Sequence, residues 1–141
     1  MATGLFRRPE EVVDQAGKLH SHSVTCATHF VQYAGIEALR NTEEAVTEMR
    51  DAFEQRRDLL CDRLAEQGID VPKPEGAFYL MLPVGDGEDD QEWCERAIEE
   101  AHVATVPGSA FGTPGYARLS YAASAERLEE AVDRLADTGL L

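Results

Sequence analysis

An arginine within an apolar strand is the side chain of this sequence best suited to bind an anion. Arg118 stands in residues 116–121 (YARLSY), whose other members are apolar or small. A guanidinium in such a setting needs a partner, because burying an unpaired charge is costly. A carboxylate matches its forked N–H edge, and that carboxylate could belong to this chain or to a bound substrate. The residues alone leave a structural ion pair and a ligand site equally open.

Two glycine-containing segments accompany Arg118 in the second half of the chain. Residues 74–79 (PEGAFY) place a glycine turn before an aromatic strand. Residues 106–112 (VPGSAFG) are typical of a strand end followed by a glycine-rich loop. Together with Arg118 they are the patterns that could form a binding site.

Other residue patterns that could bind a metal or catalyse a reaction are better explained as ordinary loop and surface residues. His20, His22 and His29 lack the spacing of helical metal ligands and have no Cys or acid cluster nearby, so we predict no metal site. The acidic run 86–92 lacks the ligand spacing of a calcium-binding EF-hand loop and is typical of a solvated loop followed by an acidic helix start. Neither a nucleophile elbow nor a glycine-rich phosphate loop occurs.

The charge balance restricts the possible partners. The 141 residues include 27 acidic and 13 basic side chains, for a net charge of −14, and Lys18 and Lys73 are the lysines. Such a surface repels nucleic acid and anionic membranes, so we expect neither as a partner. Plain solubility would explain the acidity, but the scarcity of lysine favours adaptation to high salt. The sequence has no apolar run of ~20 residues and no secretory pattern, which predicts a cytoplasmic protein.

Helical patterns dominate the first half of the chain. Helices are predicted over residues 9–19, 29–39 and 41–67, the last begun by Asn41 as a cap and ended by Gly68. A polar loop is predicted over residues 21–25.

The second half alternates between strand and helix patterns. Strands are predicted over residues 69–71, 77–82, 103–106 and 116–121, with helices over 89–101 and from Ser124 onward. The fold class is therefore α/β (α+β), in which long N-terminal helices (1–67) lead into a small α/β domain (68–141). Its core is predicted to contain the following residues: Phe78, Leu80, Val103, Val106, Leu119, Leu128 and Val132.

The order and spacing of these patterns resemble the C-terminal region of the fold type I pyridoxal-phosphate-dependent aminotransferases, of the class I/II aspartate/tyrosine type. Residues 21–25 (SHSVT) are similar to the serine/threonine loop of that family, and Gln32-Tyr33-Ala34 and Glu37-Ala38-Leu39 to the helix after it. Arg56-Arg57-Asp58 would lie in its long interdomain helix, followed by segments 74–79, 106–112 and 116–121 in family order. The resemblance runs from about Gly4 to Leu141, and it implies the family's small domain with a three-stranded sheet covered by helices.

The resemblance also implies roles for four residues. Arg118 matches the arginine that clamps the α-carboxylate of the substrate, and Phe78 matches an aromatic residue that lines the site. Ser23 and Thr25 match a loop at the dimer interface, close to the phosphate of the partner's cofactor. These are binding residues, and no catalytic residue of the family can be assigned in this sequence.

The family's catalytic lysine, which forms a Schiff base with pyridoxal phosphate, has no counterpart here. Neither Lys18 nor Lys73 matches it, and the family's phosphate-binding arginine would fall near Ala2. We therefore expect the C-terminal portion of an aminotransferase that is inactive alone, binds no cofactor by itself, and either forms a homodimer or joins a missing N-terminal part. The complete enzyme would transfer an amino group between an amino acid such as aspartate and a 2-oxo acid. The alternative is a non-catalytic α/β module that binds a small carboxylate or a protein partner.

Overall fold

The computed structural model describes residues 7–85 and 87–141, and these form two compact units that divide between residues 48 and 49. The predicted boundary at residues 67/68 stays a prediction, and the predicted start of the family resemblance at Gly4 lies outside the described residues. The elements of the described ranges are α1 (Glu10–Ser23), α2 (His29–Arg40), α3 (Glu43–Glu66), β1 (Tyr79–Pro83), α4 (Asp90–Glu99), β2 (Val106–Pro107), a 3-10 turn (Gly108–Phe111), β3 (Tyr116–Ser120) and α5 (Ala125–Asp137).

The first unit consists of α1, α2 and the start of α3. Helix α1 runs four residues past its predicted end, because the hydroxyls of Ser21 and Ser23 donate to carbonyls of their own helix instead of forming a polar loop. Asn41 ends α2, where its N–H bonds the Glu37 carbonyl, and α3 begins at Glu43, so the predicted Asn41 cap is wrong.

The second unit contains a three-stranded sheet, as the family resemblance implies for the small domain. Its strands are antiparallel and lie in the order β1-β3-β2. Arg118 on the central strand β3 pairs with Met81 of β1 and with Val106 of β2. The predicted strand at residues 69–71 is absent: the Ile69 N–H bonds the Leu64 carbonyl at the end of α3, and the segment continues as irregular chain. Strand β2 is only two residues long, because residues 103–105 do not pair with β3.

One face of the sheet packs against helices to form the core. Strand alternation sends Leu80 and Leu82 of β1 and Leu119 of β3 to this face, where each is at most 7% exposed. Of the predicted core, Leu80, Leu119, Leu128 and Val132 are buried, while Val103 and Val106 are half-buried. The helices contribute the following core residues: Leu60, Leu64, Trp93, Cys94, Ala97, Leu128, Val132 and Leu135.

Two predictions of inward-facing side chains are wrong. Phe78 is 50% exposed, because it precedes β1 at a turn in which Ala77 takes a φ of +65°, so the strand's alternation does not extend to it. The helical pattern of residues 89–101 also predicts that Ile98 faces inward, but Ile98 is 50% exposed, since the buried stripe of α4 steps by four residues from Trp93 to Ala97 and bypasses it.

Candidate functional site

Arg118 lies on the central strand of the sheet, on the face opposite the core. Its neighbours on β3, Ala117 and Leu119, point into the core at 0% and 7% exposure. Arg118 itself is half-buried on the opposite face, where Tyr116 and Ser120 on either side are exposed. Leu119 is predicted as a core residue, and strand alternation from it places the guanidinium on the opposite, more exposed face of the sheet.

Two aromatic rings hold the guanidinium. The central carbon of the Arg118 guanidinium lies 4.2 Å from the centroid of the Phe111 ring and 5.0 Å from that of Tyr79. Contacts at these distances attract a cation through the negative face of the ring. They leave the five N–H donors of the guanidinium available, because a π-face is not an ordinary hydrogen-bond acceptor.

No carboxylate of the described residues forms an ion pair with Arg118, and no acceptor among them receives a hydrogen bond from its side chain. Arg57 provides a contrast, since its side chain bonds Glu54, Asp58 and the Pro74 carbonyl. In a chain with 27 acidic residues, an arginine left without one is available to an anion from outside. The sequence left open a structural ion pair for Arg118, and no acid in the described part of the chain forms one with it.

Phe111 reaches Arg118 through a loop fixed by a buried acid. Asp90, in the first turn of α4, is 5% exposed. Its carboxylate accepts from the Ser109 N–H at 2.8 Å, the Ser109 hydroxyl at 2.9 Å and the Gly115 N–H at 3.1 Å. Phe111 lies between these two anchor points.

The ionised form of Asp90 is stabilised in the fold. Burial by itself would raise the pKa of Asp90, but the hydrogen bonds from Ser109 and from the backbone N–H groups of Gly115 and Tyr116 outweigh burial and lower its pKa. The sequence interpretation missed Asp90, because the acidic run 86–92 was assigned to solvent. The adjacent Asp89, whose carboxylate caps α4 through the N–H groups of Gln91 and Glu92, shows that the two acids have separate roles.

Phe78 contacts Tyr79, one of the two aromatic rings that lie against the Arg118 guanidinium. Its ring lies 5.6 Å from that of Tyr79, edge to face. Its backbone is held by Tyr121, whose N–H donates to the Phe78 carbonyl and whose hydroxyl donates to the Ala77 carbonyl. Phe78 is therefore joined to Arg118 through Tyr79, although sequence reasoning had also counted it as core.

Ser23 and Thr25 lie in the other unit, at the carboxyl end of α1. The Ser23 hydroxyl donates to the Leu19 carbonyl at 2.9 Å, so it is engaged by its own helix. A helix carboxyl end carries partial negative charge, which does not favour a phosphate. Thr25 takes a φ of +63°, a costly conformation for a β-branched residue that is often found at functional sites. Their role in cofactor binding stays a prediction.

Neither lysine is placed as a site residue. Lys18 is exposed on α1, and Lys73 forms an ion pair with Asp58 at 2.7 Å. Within residues 7–85 and 87–141, no group of His, Cys, Asp and Glu side chains could hold a metal ion. Across the same ranges, no helix combines the length and the apolar composition that a membrane crossing requires.

Comparison with known proteins finds the same family along nearly all of the chain. The family model for aminotransferases of class I and II matches residues 3–135. The chain is 44% identical over 137 residues to aromatic-amino-acid aminotransferase 2 of Thermococcus litoralis, covering 94% of this chain and 35% of the relative. It is 46% identical over 139 residues to a probable aspartate/prephenate aminotransferase of Aquifex aeolicus, with the same coverage of both chains.

Solved structures give the same result. An aromatic aminotransferase of Pyrococcus horikoshii superimposes with a TM-score of 0.86 at 39% identity, covering 94% of this chain and 38% of that one. An aspartate aminotransferase of Thermotoga maritima gives 0.82 at 42% identity, covering 92% and 33%. The chain thus spans about a third of the length of the relatives it matches.

Proposed function

Because the chain belongs to the class I and II aminotransferase family, we propose that it forms the C-terminal portion of an enzyme that moves an amino group between an amino acid, such as aspartate, and a 2-oxo acid. In that enzyme its part is to bind and orient the substrate. The family implies pyridoxal phosphate in the full-length enzyme, where the cofactor carries the amino group between the two substrates.

Arg118 is the residue that binds the substrate in this proposal. The observation that carries it is a guanidinium held by Tyr79 and Phe111 on an open sheet face, with no acid of the described chain as its partner. A substrate α-carboxylate can take two parallel N–H donors of the fork, which fixes its orientation as well as its position. Such a clamp holds the bonds at the α-carbon in a defined direction for the reaction. Phe78, half exposed beside Tyr79, would line the same site.

The described residues do not by themselves fit pyridoxal phosphate. Lys73 forms an ion pair with Asp58, Lys18 is exposed on α1, and the Ser23 hydroxyl donates to a carbonyl of its own helix. We therefore propose that this portion alone is not catalytic, and that the groups that hold the cofactor belong to the two thirds of the relatives' length that the chain does not span.

Binding of a simple dicarboxylate tests the role of Arg118. Succinate titrated into the chain should shift the Arg118 Nε–H resonance in ¹H–¹⁵N spectra with saturation. Arg118→Lys keeps the charge but loses the fork, so succinate affinity should fall roughly tenfold, as expected when a charge-assisted hydrogen bond is lost. Arg127→Lys is the matched control, because Arg127 on α5 also lacks an ion pair within the described residues but lies at a different surface.

The stability of a third variant separates the clamp from a structural role. Arg118→Ala should change the free energy of unfolding by no more than about 1 kcal/mol, since it loses cation–π contacts and breaks no ion pair. Loss of several kcal/mol would indicate a structural charge pair and would reject the clamp. Equal succinate binding by the parent and Arg118→Lys would reject it as well.

A further inference from the structure

The buried carboxylate of Asp90 lies outside the substrate-binding group described above, yet it is bonded to the loop that supplies one of the rings. We propose that Asp90 is a positioning residue that holds Phe111 against the Arg118 guanidinium, an inference that rests on the proposed function of Arg118. The acid acts through the loop, because its carboxylate bonds Ser109 and Gly115 and forms no ion pair or hydrogen bond with the Arg118 guanidinium.

The bonding pattern closes the loop around one carboxyl group. Oδ2 of Asp90 accepts from the N–H of Ser109 at 2.8 Å and from the N–H of Gly115 at 3.1 Å. Oδ1 accepts from the Ser109 hydroxyl at 2.9 Å. A single oxygen thus joins the two ends of the segment 109–115, and Phe111 is carried between them.

Phe111 depends on this closure for its position. Its ring is 51% exposed and does not belong to the core, so core packing does not hold it. The backbone on either side is short and turns sharply, with Gly112 at a φ of +75° and its N–H bonded to the Ser109 carbonyl. Asp90 binds both the N–H and the hydroxyl of Ser109. Ser109 therefore anchors the loop that places the Phe111 ring centroid 4.2 Å from the central carbon of the Arg118 guanidinium.

The alternative is that Asp90 only stabilises the start of α4. Asp89 provides the comparison, since it is an adjacent acid whose carboxylate bonds only the helix N–H groups of Gln91 and Glu92. Removing either charge weakens the helix start, but only the change at Asp90 releases the loop. A measurement at Arg118 therefore separates positioning from general stability.

The experiment compares Asp90→Asn with Asp89→Asn in the full chain. Ring currents from Phe111 and Tyr79 should displace the Arg118 side-chain proton resonances from their random-coil values. In Asp90→Asn these resonances should move toward random coil, and succinate affinity should fall roughly two- to fivefold, the size of a lost cation–π contact. Asp89→Asn should leave both readouts at parent values even if its denaturant midpoint drops.

Unchanged Arg118 resonances in a folded Asp90→Asn protein would overturn the inference. If that variant does not fold, Ser109→Ala removes only the hydroxyl bond and should produce a smaller displacement in the same direction; parent-like resonances in Ser109→Ala would then overturn it. Failure of the parent to bind succinate would instead count against the proposed function of Arg118. The ring-current readout does not need a ligand, so the two failures are distinguishable.

Discussion

Gly108 lies where the Phe111 loop passes close to the strand that follows it. It is buried, and a β-carbon at this position would lie 2.3 Å from the Thr113 carbonyl oxygen and 2.7 Å from that of Tyr116. Both obstacles are backbone atoms, which cannot move aside as a flexible side chain can. Its φ lies outside the left-handed region, so the need for glycine here is a need for space. Among single residues, the site thus depends on Gly108, where a β-carbon would clash with the backbone, and on Asp90, whose hydrogen bonds close the loop.

Gly108→Ala should therefore lower the free energy of unfolding by about 1–3 kcal/mol, the usual cost of forcing extra volume into packed structure. Gly76→Ala is the matched control, because a β-carbon there meets nothing within 4 Å and its φ is also outside the left-handed region. Denaturant midpoints of both variants against the parent measure the difference. Equal midpoints for Gly108→Ala and the parent would contradict the steric account.

Among the elements, the helices differ in how their apolar side chains are covered. Helix α5 buries Leu128, Val132 and Leu135 against the core of the second unit. In α1 and α2, by contrast, Val31 is the buried residue within the described range. Leu19 is 75% exposed and Leu39 is 72% exposed. The exposed apolar residues of the first unit are Val12, Val13, Leu19, Val24, Phe30, Tyr33, Ile36, Leu39 and Val46.

Large bare apolar patches are uncommon on monomers, so we expect the chain to self-associate through its N-terminal helices, in a symmetric dimer. Leu39→Glu should shift sedimentation toward the monomer by placing a charge in the contact. Ile98→Glu, at an exposed apolar position of α4 in the second unit, should leave association unchanged. Sedimentation equilibrium in high salt measures both, and a monomeric parent would reject this interface.

For the whole molecule, the chain spans about a third of its relatives' length, and this governs what it can do alone. The chain carries a net charge of −14 and has two lysines. Adaptation to high salt, which this charge balance favours, stays a prediction. Those two lysines are also the positions at which a covalent pyridoxal phosphate adduct could form on a side chain. One is exposed on α1 and the other is paired with Asp58.

Pyridoxal phosphate added to the chain should give no stoichiometric Schiff-base absorbance, because neither Lys18 nor Lys73 lies in a site that would favour the adduct. Absorbance titration, with borohydride trapping and peptide mapping, measures this. The control is Lys73→Arg, which should lower the weak background without abolishing it, because Lys18 remains. A one-to-one adduct confined to Lys18 or Lys73 would contradict the proposal that this portion alone is inactive.

The sequence by itself determined the features that depend on local pattern. The 3.6-residue stripe of α5, the alternation of β1 and β3 and the stop at Gly68, whose φ is +83°, follow from neighbours within a few residues of each other. The order of these elements and the spaced segments 74–79, 106–112 and 116–121 also sufficed to indicate the family. Alternation alone put Arg118 on the face opposite Leu119.

Only the tertiary structure decided which distant residues meet. The segment 69–71 has the pattern of a strand but forms none, because a strand requires a hydrogen-bonding partner that sequence pattern does not supply. Asp90 has the same residue type and local context as Asp89, and it is buried because Ser109 and Gly115, 19 and 25 residues away, donate to it. The contact of Phe111 with Arg118 likewise depends on a loop closed by these long-range bonds, which periodicity does not encode.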